Sequence, residues 1–372
     1  MSTLKITRIE IIPIKIKLNE PFVISKGPLT HARNTVVIIH TKDGIFGTGE
    51  CCPFRSIHGE TQKGTVAAGK ELAELLIGED AREIHKIVGK IDKALAGNAS
   101  IKCAIDMALY DLNAKAVNLP LFRYLQGDAN KKMYTDMTIS LLDKEKMAEK
   151  AVKYASDGFP VLKVKLGDRP AHKDIERIAG IRIAIGQEIP LRIDANQGWN
   201  YLESIRVLEG IQDMNIEHCE APVPAGNIRD RRRLVDTSPI PIMGDEAIFN
   251  HHDAYLNLVE GAVDLINIKL GKSGGILHAM KIAGIAQAAG VYCQVGSFSE
   301  TRLGISALAH FSMAWDNIIY YDMDSPLMQS QDPIQGGLVY QKDWQVTVDE
   351  TPGIGATFDE KFLNKFEKLT IE

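Results

Sequence analysis

Apolar and charged residues alternate near the start of the chain. Ile14, Ile16 and Leu18 are interleaved with Lys15 and Lys17, the period of two that marks a strand with one buried face. A second alternating run, over residues 35–41, leads into Asp43-Gly44 and then Ile45-Phe46, which predicts a hairpin. The period lengthens after Asn98. Ile101, Ile105, Ala108 and Leu112 recur at helical spacing, and Pro120 ends or kinks that stretch. Gly127-Asp128 reads as a boundary. Residues 1–130 are therefore expected to form a small α+β domain.

The texture changes after about residue 130. Short β-branched runs alternate with helical stretches, the pattern of a parallel α/β protein. Candidate strands fall at 134–140, 161–166, 191–194, 216–220, 240–245, 265–270, 292–295 and 318–322. Eight such strands close a barrel. The expected fold is an α/β chain with a (β/α)8-type, modified TIM barrel over residues 131–325. Residues 326–372 look irregular and are expected to return to the N-terminal domain.

Composition narrows the class. The 372 residues are 45% apolar and 24% charged, as in a globular protein with room for a barrel and a smaller domain. A formal net charge of −5 argues against a nucleic-acid or membrane-surface partner, and no apolar run has the length a bilayer needs. The opening residues, Met1 to Ile6, turn charged and alternating at once, so no signal peptide is expected. Five scattered cysteines (51, 52, 103, 219 and 293) read as reduced thiols in a cytoplasmic protein. A homo-oligomer acting on a small molecule is expected.

The candidate chemistry lies at the strand ends. Lys163 and Lys165 are two apart and so share one face of their strand. Asp194, Glu220, Asp245 and Lys269 follow one another at intervals of 26, 25 and 24 residues. That interval is about one β/α unit, so the four arrive together at the C-terminal mouth, where barrel enzymes carry their sites. Converging carboxylates repel one another unless a cation joins them, and hard oxygen ligands with open positions suit one Mg²⁺. Lysines beside such an ion have lowered pKa values and can act as bases. Two of them on opposite faces of a substrate could take a proton from one side and return it to the other. At the last strand, Asp322 and Asp324 face the same way and make a pocket for a second positive group.

Lys163-Val164-Lys165, Asp194-Ala195-Asn196, Glu220-Ala221-Pro222, Asp245-Glu246 and Lys269 together resemble the muconate-lactonizing subgroup of the enolase superfamily. The resemblance spans essentially the whole chain. It implies that the N-terminal domain caps the barrel, that Asp194, Glu220 and Asp245 bind Mg²⁺, and that Lys165 and Lys269 are the acid/base pair. Lys163 would help to hold a carboxylate and stabilise negative charge. The lysine base and Mg²⁺-stabilised ene-diolate are the established chemistry of that superfamily.

The Asp322-Met323-Asp324 motif and the segment Ser299 to Gly304 resemble the dipeptide epimerases, which implies capture of an α-ammonium group. N-acylamino acid racemases, o-succinylbenzoate synthases and cycloisomerases share the lysines and ligands but need no such pocket. A Schiff-base barrel lyase is the reading from another mechanistic class. The seventh strand lacks the histidine base of acid-sugar dehydratases.

Ala221 and Ala247 depart from the usual pattern at positions that are not ligands. Gly27 stands where epimerases for acidic second residues carry arginine. Phe22, Ile24, Phe54, Ile57 and Phe298 could instead line an apolar pocket, Thr138 and Ser140 on the first strand are candidates to hydrogen-bond the substrate with Ser297 as a further contact, and Lys26 keeps an acidic side chain possible. Small or hydrophobic dipeptides are therefore favoured. Gly271-Lys272-Ser273 fails the phosphate-loop pattern because residue 266 is Ile. His58-Gly59-Glu60 reads as a mobile polar loop and His218 as a core histidine.

Overall fold

The computed structural model describes residues 4–372; the first three, which carry part of the signal-peptide expectation, lie outside the described residues. Three antiparallel strands, Ile6–Ile24, Gly27–Thr41 and Phe46–Cys51, open the chain. The hairpin expected at Asp43-Gly44 is present, with Gly44 at φ +81°. The first two strands run well beyond the alternating stretches that predict them. Ile9, Glu10, Ile11 and Ile12 are all buried, so both faces are covered and the alternation is lost.

This sheet packs on the helix Ala99–Ala116, buried over nearly its whole length and ended before Pro120. Two glycines allow the contact. A Cβ at Gly47 or Gly49 would fall 2.0 Å from the carbonyl oxygen of Ala108 or Ala104, so strand backbone rests directly on helix backbone. Leu369–Ile371 returns to this sheet as its fourth strand, pairing Ile371 with Ile9.

The barrel strands are Met137–Ile139, Leu162–Lys165, Leu191–Asp194, Ile216–Glu220, Ile242–Gly244, Leu265–Ile268, Cys293–Val295 and Ile318–Tyr321. They pair in chain order and all in parallel. The Asp136 N–H donates to Tyr321 O at 3.2 Å and draws the first strand against the eighth. The first strand is shorter than expected, because Met133–Tyr134 leaves to pair with Gln345–Thr347.

Two side chains lock the N-terminal sheet and helices to the barrel. Glu50 accepts the N–H groups of Thr301 and Gly304 and the Thr301 hydroxyl, capping the helix Arg302–Ser312 from another part of the chain. His310 Nδ1 accepts the Phe122 N–H while Nε2 donates to Ile354 O, both at 3.1 Å. Among the described residues, no helix is long and apolar enough to cross a membrane.

Candidate active site

Lys165, Asp194 and Glu220 end three neighbouring strands as direct register partners. Asp245 lies two residues beyond Met243, the partner of Glu220, and Lys269 follows the next strand. The two outer lysines grip the outer acids: Lys165 Nζ is 2.6 Å from Asp194 Oδ2, and Lys269 Nζ is 2.9 Å from Asp245 Oδ2. They therefore stand on opposite sides of Glu220. Lys163 is buried between Glu220 and Asp322, 2.7 Å from each and 3.9 Å from Asp194.

Sequence reasoning expects lowered lysine pKa values, and the structure shows the opposite for two of them. Burial works against the ammonium of Lys163, but Asp322, Glu220 and Asp194 outweigh it and hold the pKa well above the ordinary value. Burial is likewise outweighed at Lys269, by Asp245 and Glu220. Carboxylates surround these lysines, and the expected lowering presumes an ion that takes those carboxylates up.

Chemically, these acids are the donors such an ion takes. Glu220 is pushed up by burial and by Asp194, and Glu246, beside Asp245, is pushed up to about 8 by burial and by Asp245. Glu246 Oε2 and Asn196 Oδ1 are buried without a hydrogen-bond donor, and Asp245 Oδ1 meets only the Lys272 ammonium, at 2.9 Å. Buried oxygens left in that state favour a hard cation.

Above these groups opens a cleft lined by Lys165, Lys269, Asn196, Thr138, Ser297, Asp322 and Asp324. Phe22, Ile24, Phe54, Ile57, Phe298 and Met328 make its apolar wall. Lys269 Nζ lies 4.7 Å from the Phe298 ring centroid and Lys165 Nζ 5.8 Å from that of Phe22. The Thr138 N–H donates to Asp324 Oδ2 at 2.7 Å and fixes that carboxylate.

Residues 6–125 match the family of mandelate racemase / muconate lactonizing enzyme N-terminal domains, and residues 146–362 match the enolase C-terminal domain-like family. The chain belongs to the muconate-lactonizing subgroup of the enolase superfamily. Within it, the chain is 43% identical to a D-Ala-D/L-Ala epimerase of Cytophaga hutchinsonii, over 98% of this chain and 99% of that one. It is 38% identical to an L-Ala-D/L-Glu epimerase of Bacillus subtilis, over 95% and 96%. The crystal structure of a dipeptide epimerase from C. hutchinsonii, complexed with Mg and D-Ala-L-Val, superposes with a TM-score of 0.97. It is 42% identical and covers 99% of this chain and 100% of that one.

Not every expected site residue of this enolase-superfamily chain reaches the cleft. Lys26 is exposed on the turn between the first two strands and lines a neighbouring surface cleft, because the turn carries it outward. Lys163 lies behind the cleft wall. His58 is no mobile loop residue: its ring is buried, with Nε2 2.7 Å from Ser100 Oγ and accepting the Phe54 N–H. His218 is a core histidine packed edge-on against Tyr320. Asn196 and Met328 in the cleft, and Asp136 and Lys272 behind it, escape sequence reasoning. Asn196 alone had a signal, being two residues from Asp194.

Proposed function

We propose that this chain is a Mg²⁺-dependent dipeptide epimerase that moves the α-proton of the C-terminal residue, on dipeptides with small or hydrophobic side chains. One observation carries the reading: Lys165 and Lys269, each paired with a different acid of the neighbouring strand ends, line one cleft together with Asp322 and Asp324. The similarity to dipeptide epimerases over nearly the whole chain supports it. We read residues 1–130 as the capping domain, 131–325 as the catalytic barrel and 326–372 as the returning segment.

Asp194, Glu220 and Asp245 would hold the cation, which when bound offsets the negative charge that grows on the substrate carboxylate as the α-proton leaves. Lys165 Nζ and Lys269 Nζ each take or give the proton on one face of the α-carbon. Lys163, held between Glu220 and Asp322, adds positive charge from behind. Asp322 and Asp324 accept hydrogen bonds from the substrate ammonium. An N-acylated amino acid brings no ammonium, and its carbonyl oxygen would face two carboxylates. The apolar wall excludes water and receives a hydrophobic side chain, and with Lys26 turned outward a second acidic residue finds no partner there.

A dipeptide library incubated with the Mg²⁺-loaded enzyme in D₂O tests this by mass spectrometry. Deuterium is expected at the α-carbon of the C-terminal residue, most strongly for apolar side chains. A preference for acidic second residues would overturn the side-chain assignment, and no uptake by any dipeptide would overturn the reaction.

A further inference from the structure

A third carboxylate stands behind Asp322 and Asp324. Asp136 immediately precedes the first barrel strand and is fully buried. Oxygens of Asp136, Asp322 and Asp324 all lie within 4.8 Å of one another. The cations around them are few. Arg192 Nη1 donates to Asp136 Oδ2 at 3.0 Å, and Lys163 Nζ lies 2.7 Å from Asp322 Oδ2. Lys163 is shared with Glu220, also at 2.7 Å. Asp324 makes no ion pair among the described residues. Three carboxylates thus face two cations, each shared with a further carboxylate.

The deficit is visible in hydrogen bonding. Asp136 Oδ1 is buried and accepts no hydrogen bond. Such an oxygen is costly unless a positive or donating group reaches it. Arg192 also donates to Glu217 at 2.7 Å and to Tyr321 O at 3.2 Å, so Asp136 is braced against a fixed guanidinium. Burial and Asp322 push Asp136 well above the usual carboxylate range, and the same two causes push Asp324 up to about 7.

We infer that Asp136 is a positioning residue for the substrate's ammonium group, the third carboxylate of a pocket whose missing cation is the substrate itself. When an ammonium enters, Asp136 supplies negative charge behind Asp322 and Asp324 and holds their oxygens toward the cleft. The inference rests on the dipeptide reading.

The test compares wild type with Asp136→Asn, which preserves shape and removes the charge. The ligands are an alanyl dipeptide with an apolar second residue and its des-amino analogue, the propionyl amino acid. With Mg²⁺ saturating, Asp136→Asn is expected to raise the dipeptide KM about 10-fold or more and to leave kcat within about 3-fold. Calorimetric affinity for the propionyl analogue should not change. Equal weakening of both ligands, or an unchanged KM while wild type turns the dipeptide over, overturns the inference alone. Absence of turnover by wild type overturns the dipeptide reading with it. A second equivalent of Mg²⁺ bound by wild type and lost in Asp136→Asn would assign the three carboxylates to a metal ion and overturn the inference. Asp136→Ser carries the same expectation if the Asn variant fails to fold. Failure of both to fold would make Asp136 a structural counter-ion to Arg192 and overturn it too.

Discussion

Lys272 keeps its ammonium in a cage of carbonyl oxygens, those of Asp245, Ile248 and Asn267 at 2.7, 2.7 and 2.8 Å. It also stands 2.9 Å from the Asp245 carboxylate, and its side chain is fully buried. Lys272→Met should therefore lower stability by about 3–5 kcal/mol, because it leaves a buried carboxylate and three carbonyls without their donor. A urea midpoint equal to that of wild type would show the cage to be dispensable. Nothing in Gly271-Lys272-Ser273 announces this role, since two of the carbonyls, of Asp245 and Ile248, come from the turn after the neighbouring strand, which only the folded barrel brings to it. Asp136 was hidden for the same reason: Arg192 lies 56 positions away, and Asp322 and Asp324 follow the last barrel strand, far along the chain. By contrast Asp194, Glu220, Asp245 and Lys269 could be read directly, because each ends a candidate strand or its following turn and the four repeat at nearly constant spacing.

Packing between elements gives two further expectations. Gly49 lets the strand Phe46–Cys51 lie on the helix Ala99–Ala116, with a Cβ position 2.0 Å from the carbonyl oxygen of Ala104. Gly49→Ala must push strand and helix apart and should cost more than about 3 kcal/mol. Gly89, inside the helix Ile84–Ala94, has open space around its Cβ position. Gly89→Ala should stabilise by about 0.5–1 kcal/mol, so the pair separates loss of contact from helix propensity in one denaturation series.

His310 joins the helix Arg302–Ser312 to Phe122 and to Ile354, and burial lowers its pKa to about 4. Its folded value lies below the unfolded value near 6.5, so the unfolded chain binds the proton first. This contribution is complete above pH 6.5 and is lost as the pH falls toward 4, up to about 3 kcal/mol for one such group. Melting curves from pH 7 to 4 should show that loss in wild type and a smaller one in His310→Gln; identical slopes would contradict it. The alternation that announces strands failed where elements are covered on both sides, as at Ile9 to Ile12, and it missed the break after Tyr134. The hairpin, the central helix and the order of the eight barrel strands were legible because each keeps one period over its length.

The whole molecule builds its cleft from its N-terminal stretch and the barrel. Phe22, Ile24, Phe54 and Ile57 come from the N-terminal strands and the short helix after them, and the lysines and acids come from the barrel mouth. Most of the apolar wall therefore comes from the N-terminal stretch, with Phe298 and Met328 added from the barrel side. The direction of a single turn was beyond sequence reasoning, and it removes Lys26 from the cleft.

The central claim is that two lysines work from opposite faces of one α-carbon. Lys165→Ala and Lys269→Ala, each given the two epimers of one dipeptide separately in D₂O with Mg²⁺, test it most directly. Neither variant should interconvert the epimers, a loss of about 10³-fold or more. Each should still exchange deuterium into one epimer only, and into a different one. Exchange of both epimers by either variant, or epimerisation that survives either substitution, would contradict the account.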